Sequence, residues 1–403
     1  MFRLAKVSRS AAALVAVALV AACSNNDEVL GPQPRGANAI FQNYVALGNS
    51  ITAGFQSGGI NDSTQRRSYA VLLAGQMGTR FAFPSLAGRG CAPPIANFAT
   101  QARVGTGSTS TTCDLRNPAS ATDVLNNLGV PGATVADLTA DNGTASSNVL
   151  TSLFLGGKTQ VEKARDANPT FASIWIGNND VLAAAVSGVL VPTPGVSPGI
   201  TSQANFTASY DAIVTQLGAS QFKGVLVGVV KVTGAPILFP VASLLGSAQA
   251  LGGFDQAAGR VPTSTDPFKA AALTIDPNCA AAPTTLISFL MTAQIARFRN
   301  DTNPTGQPPK PAANRQGLPP YLACGVSAVP GAPPAPVGEF FVLTPAEQAT
   351  LNTAVTGYNT FISGKATELN WAFMNPNVLL DSLVAAGQIP AFPNLAQGTT
   401  AFG

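Results

Sequence analysis

The sequence predicts an α/β fold built on a parallel sheet with helices on both faces, and three observations predict it. Short apolar runs at residues 44–47 and 174–176 and a Val- and Leu-rich stretch at 222–232 have the composition of strands buried on both sides. Segments with helical character lie between these runs, at residues 69–77 and 204–217. Glycine turns also follow the strand-like runs, as in Gly48-Asn49-Ser50 and Gly177-Asn178-Asn179-Asp180. Alternation of strand, helix and strand implies parallel pairing, because each crossover must return the chain to the same end of the sheet.

In chain order, Tyr44-Val45-Ala46-Leu47 is the first strand. Its turn, Gly48-Asn49-Ser50-Ile51-Thr52-Ala53-Gly54, leads through a polar loop into the helix over 69–77. A second glycine turn, Asn127-Leu128-Gly129-Val130-Pro131-Gly132-Ala133-Thr134, precedes the strand at 174–176. The helix over 204–217 feeds a Val- and Leu-rich strand over 222–232. Thr344-Pro345-Ala346-Glu347 is a helix start, with Thr344 as N-cap and proline at the first helical position, and the helix runs to about Leu369. Trp371-Ala372-Phe373-Met374-Asn375 reads as the last core strand, and no closing helix is recognisable after it. Residues 234–338 form a long insertion between the last two strands. Pro236 and Pro240 break its apolar first part, and its later part, 303–336, is proline-rich and irregular.

The 403 residues could make two domains, but the strands extend from residue 44 to 375, so one domain over 41–403 is the simpler organisation. An apolar content of 46% supplies a substantial core, and the 10% charged content implies a surface rich in neutral polar residues.

Ser50 is the first candidate for chemistry. It sits just past the carboxyl end of a strand, where open α/β sheets place their active sites. The three segments Gly48-Asn49-Ser50, Gly132 and Asn179, in that order and spacing, resemble the SGNH (GDSL-like) hydrolase superfamily. The resemblance implies a flavodoxin-like three-layer α/β/α sandwich with about five strands. It further implies that Ser50 is the nucleophile, with Asn49 standing where the family usually has Asp. The backbone N–H groups of Ser50 and Gly132 and the Asn179 side-chain amide would form an oxyanion hole. Ester cleavage puts negative charge on the carbonyl oxygen, so donors fixed around that oxygen lower the barrier, and losing one costs roughly 10²–10³ in rate. No cofactor is implied.

The family's fourth block, Asp-x-x-His, has no counterpart, because the sequence contains no histidine. A serine hydroxyl needs a base within hydrogen-bond reach. The expectation is that the sequence stops ahead of this block, with residues 379–383 and onwards as the variable stretch before it and the histidine beyond residue 403. The alternative is a catalytically silent member that keeps the pocket to bind acylated glycans or lipids. A competing pattern, Gly195-Val196-Ser197-Pro198-Gly199, fits the Gly-x-Ser-x-Gly elbow, but it lacks the flanking strand and helix and lies among Pro192, Pro194 and Pro198.

The N-terminus carries Arg3, Lys6 and Arg9, then an apolar run over 11–20, then Val20-Ala21-Ala22-Cys23. This layout is a secretory signal too short to span a membrane. With its cysteine it resembles a bacterial lipoprotein signal: 1–22 removed, Cys23 lipidated, and 23–40 a tether. Ser24, rather than Asp, after the lipid site suggests an outer-membrane anchor. Loss of the three basic residues leaves Lys plus Arg equal in number to Asp plus Glu. No basic patch stands out, so nucleic acid is not an expected partner; the expected ones are an acyl-ester substrate and the membrane. Cys91, Cys113, Cys279 and Cys324 remain and allow three disulfide pairings. The local pairing, 91 with 113 and 279 with 324, would staple two Gly/Pro/Thr-rich loops in an oxidising compartment. Long spacings and the lack of histidine argue against a metal site.

Overall fold

The computed structural model describes residues 39–97, 102–105, 109–114, 116, 124–139, 148–188, 190, 199–235, 237–242, 274–275, 282–288, 321–322 and 341–389. Cys23 with the signal and most of the tether, Cys279, Cys324, the Gly-x-Ser-x-Gly serine and the proline-rich part of the insertion lie outside these residues.

The architecture is a three-layer α/β fold around a parallel sheet. Its strands are β1 (Tyr44–Gly48), β2 (Phe171–Trp175), β3 (Lys223–Val227) and β4 (Ala372–Met374), hydrogen-bonded in the order β1-β2-β3-β4. Tyr44 pairs with Phe171, Phe171 with Lys223, and Ala372 with Val225. Beyond β1, the extended segment 126–130 adds a further parallel ladder. Ala46 N donates to Asn126 O at 2.8 Å, Leu128 N to Ala46 O at 2.8 Å and Val130 N to Gly48 O at 3.1 Å. With this segment outermost, the order becomes the doubly wound one, in which the second element lies outside the first and the third lies on its other side. What reads in sequence as a glycine turn is therefore, in its first half, the fifth member of the sheet.

Every residue of β1 is buried, which is why its run is apolar without alternation. Its two faces pack separately. Tyr44 and Ala46 meet Ala70, Ala74 and Met77 of one helix, whereas Val45 and Leu47 join the main core. The helices that frame the sheet and the site are α1 (Ser50–Ala53), α2 (Tyr69–Met77), α3 (Gln160–Ala167), α4 (Asn179–Ser187), α5 (Gln203–Leu217), α6 (Pro345–Leu369) and α7 (Pro376–Ala385); short helices also span Asp62–Gln65 and Leu150–Leu155. α2 covers the Tyr44 face. Helices α3 to α6 supply the main core with residues such as Val161, Val181, Phe206 and Ile362. Phe206 and Tyr358 stack with ring centroids 3.9 Å apart, locking α5 to α6. Towards β4 the Tyr44 face is open, with Ala372 and Met374 exposed.

Local signals set the helix boundaries. Thr159 with Glu162, and Thr344 with Glu347, form reciprocal capping boxes at the starts of α3 and α6, and Pro345 occupies the first turn of α6. Gly78 and Gly218 end α2 and α5 in left-handed conformations.

Several boundaries differ from the sequence reading, among them the strand expected over 174–176, which runs over Phe171–Trp175. The strand expected over 222–232 ends at Val227; Gly228 N still donates to Met374 O of β4 at 2.9 Å, but from Val229 on the backbone bonds to side chains instead of to a strand. Asn359 accepts from Val229 N at 2.6 Å and donates to Val229 O at 2.9 Å, and Asn377 donates to the same oxygen at 2.9 Å. Residues 379–383, expected in a variable stretch with no closing helix, belong to α7. Its start was legible as Asn375-Pro376: the Asn375 side chain accepts from Asn377 N, with proline in the first turn.

Within the insertion range, Leu238–Pro240 and Leu286–Ser288 form an antiparallel sheet completed by Val342–Leu343, ordered with Leu286–Ser288 in the middle. Phe341 N donates to Ser187 O at 2.8 Å, tying this sheet to the end of α4. Nearer the N-terminus, Cys91 and Cys113 form a disulfide beside the ribbon of Ile95–Asn97 and Ala102–Arg103. Among the described residues, no helix is long and apolar enough to cross a membrane.

Candidate functional site

Three turns leave the carboxyl ends of adjacent sheet members: Gly48-Asn49-Ser50 after β1, Pro131-Gly132 after the segment 126–130, and Gly177-Asn178-Asn179 after β2. In an open sheet of this order, the chain diverges to opposite faces here and leaves a crevice.

The β1 turn is held from several sides. Gln160 of α3, almost fully buried, accepts from Gly48 N at 2.8 Å and donates to Gly48 O at 2.8 Å. A side chain on Gly48 would lie 2.4 Å from Trp175 O, so the turn needs glycine for close approach to β2. Asn49 is the N-cap of α1, its Oδ1 accepting from Ile51 N at 3.0 Å. Its Nδ2 is buried without a hydrogen-bond partner among the described residues. Asn127 donates to Thr52 O at 2.9 Å and pins α1 from the other side. These contacts set Ser50 at the first position of α1, half-buried, with a backbone N–H that has no acceptor within the helix.

Gly132 has φ +81°, the left-handed region, and its turn is braced by Asn148 donating to Pro131 O at 2.8 Å. The chain then enters a short 3₁₀ turn, Val135–Leu138, closed by Thr134 and Asp137.

After β2, Gly177 adopts φ +111°, and Asn178 precedes α4 with Asn179 as its first residue. The Asn179 amide donates to Ala133 O at 2.7 Å, which joins the β2 turn to the Gly132 turn. An amide nitrogen carries two N–H groups, so a second one remains to point elsewhere. Asp180 makes the other link, accepting from Val135 N at 2.9 Å and from the Thr201 hydroxyl at 2.8 Å. Burial raises the Asp180 carboxyl from its ordinary value to about 7, outweighing the two hydrogen bonds, which act in the opposite direction. Beneath β1, Tyr44, Tyr69 and Ser173 share hydroxyl contacts at 2.6 and 3.4 Å. Desolvation pushes both phenols upward, so they remain neutral donors.

A cavity of about 540 Å³ opens between these turns and α7. Ser50, Asn178 and Asn179 line it together, whereas Gly132 is not among its lining residues and connects to it through Ala133 and Asn179. Asn178 is buried, and its Oδ1 has no hydrogen-bond partner among the described residues. The ion pair of Lys231 with Asp381, at 3.2 Å and with both side chains about half exposed, also borders the cavity. Among the described residues, no group of three or more His, Cys, Asp and Glu side chains could hold a metal ion.

Sequence reasoning missed Gln160, Asn178 and Asp180. Asp180 alone carried a signal, as an acid just after the glycine-asparagine turn; Gln160 reaches Gly48 across 112 residues, and nothing in the sequence near it marks the contact.

Comparisons with protein-family models, with curated proteins and with solved structures find no match for this chain.

Proposed function

We propose that this protein is an exported, lipid-anchored serine esterase or lipase. The Ser50 hydroxyl attacks the carbonyl carbon of an ester, the C–O bond to the alcohol breaks, and the acyl group is carried on Ser50 Oγ. Water then releases the acid. The Asn179 amide N–H left after the bond to Ala133, together with the Ser50 N–H, would bind the developing oxyanion, and the Gly132 N–H would join them only if its turn, which lies outside the cavity's lining, moved in on substrate binding. The single observation that supports this reading is that Ser50 and Asn179, from turns after neighbouring strands, line the same cavity.

The residue types explain what each would contribute. The first-position N–H of a helix has no internal acceptor and is free to bind an oxyanion. A glycine with positive φ lets backbone reach a substrate without a side chain in the way. The proton on Ser50 needs an acceptor, and these 403 residues contain no histidine to supply one.

A second reading has that same observation in its favour: a surface lipoprotein that binds acylated glycans or lipids without turnover. Hydrolysis of a short p-nitrophenyl ester, with imidazole added as the base, separates the two. Catalysis predicts a protein-dependent rate that disappears in Ser50→Ala and falls roughly 10²–10³-fold in Asn179→Ala. Equal rates in the wild type and Ser50→Ala would leave the binding reading.

A further inference from the structure

We infer that the cavity beside Ser50 is a pocket for a straight, uncharged aliphatic acyl chain, so that the preferred substrates are esters of fatty acids and not acetyl esters. This rests on the reading of Ser50 as the acyl acceptor. Beyond the strand-end turns, the lining is mainly aliphatic and comes from three separate elements: Leu182 of α4, Val230 and Val232 after β3, and Leu380 and Val384 of α7. Ile51, next to the nucleophile, continues the apolar wall.

Two polar side chains on that wall already have partners: the Thr233 hydroxyl pairs with Asn352, and the Asn377 amide accepts from Lys231 N and donates to Val229 O. Ser50, Asn178 and Asn179 sit together on the strand-end turns. The charged residues on the cavity, Lys231 and Asp381, neutralise each other in an exposed pair, so the lining offers a charged tail no uncompensated partner. An acetyl group would leave most of the 540 Å³ and its aliphatic wall in contact with water. A longer chain would displace that water, gaining about fourfold in affinity for each buried methylene.

Uncleavable ketones measure this without requiring turnover. Binding of straight-chain 2-alkanones, from butanone to undecanone, to the full chain and to Ser50→Ala is measured by calorimetry. The expected series tightens about fourfold per methylene and then levels once the cavity is filled. Leu182→Trp and Leu380→Trp, at half-buried positions on the cavity wall, are expected to level earlier and to bind the longest ketone about tenfold or more weakly, with unchanged circular dichroism. An affinity independent of chain length overturns the inference, as do tryptophan variants that fold and bind the longest ketone like the wild type. Failure of the esterase reading shows itself differently, as ester hydrolysis unaffected by Ser50→Ala while the ketone series persists.

Discussion

Asp180 offers the sharpest quantitative expectation in this molecule, because a buried carboxyl joins two of the three site turns. It is 2% exposed, bonded to Val135 N and the Thr201 hydroxyl, and raised by burial to about 7. In the unfolded chain it titrates near the usual carboxylate value of about 3.9. The folded state therefore binds a proton that the unfolded state releases between about pH 4 and pH 7. The stability associated with this group is complete below about pH 4, declines as pH rises through that window, and is lost above about 7. The gap corresponds to roughly 4 kcal/mol. Asp180→Asn is the fitting perturbation: it is neutral at every pH, its Oδ1 can accept from Val135 N, and its Nδ2 can donate to a Thr201 hydroxyl that reverses direction. Urea unfolding at intervals from pH 4 to pH 8 reads the outcome. The wild type is expected to lose a few kcal/mol across the window, Asp180→Asn to lack that decline, and the variant to be the more stable protein at pH 8. Parallel curves for the two proteins, or a variant less stable than the wild type at pH 8, would refute the assignment of a costly buried charge to Asp180.

Two further substitutions test how the turns are built. Gly177→Ala places a Cβ 2.6 Å from Val229 Cγ2 and 2.9 Å from the Phe206 ring at φ +111°, so a loss of at least about 2 kcal/mol is expected in chemical unfolding. Gln160→Ala strips Gly48 N of its acceptor in a buried site and removes one donor to Gly48 O; roughly 2–4 kcal/mol of stability should be lost. In Gln160→Glu the acceptor survives at any pH, whereas a donor to Gly48 O exists only while the carboxyl is protonated, so a smaller loss at low pH than at high pH is expected in the same assay, the charged form being buried as well.

The parts of the fold legible in sequence are those dictated by local or strand-wide chemistry. β1 announces itself because burial on both faces demands an unbroken apolar run, and α6 because Thr344, Pro345 and Glu347 form a complete cap; of β2 only the end, Ile174 and Trp175, stood out, because Ser173 interrupts its apolar run. The strand over 222–232 was overextended, since its apolar run continues past Val227 while Asn359 and Asn377, more than a hundred residues away, take over its backbone bonds. The segment 126–130 was hidden for the same reason: its glycine suits a turn, and only its ladder with β1 reveals a sheet member. At the site, the serine and asparagine stood out by their place in glycine turns after strands. Gln160 and the cavity wall did not, because each arises from elements brought together only by the completed sheet. Cys91 with Cys113 follows the local pairing, where a short loop brings the two thiols together.

Acyl transfer to Ser50 is read by intact-mass spectrometry. The protein is mixed with p-nitrophenyl butyrate and imidazole, quenched in acid at early times and digested for site assignment. Release of p-nitrophenol with a butyryl group on Ser50, and no adduct in Ser50→Ala, is the expected result. An unmodified Ser50 during ester turnover, or acylation elsewhere that persists in Ser50→Ala, would contradict it.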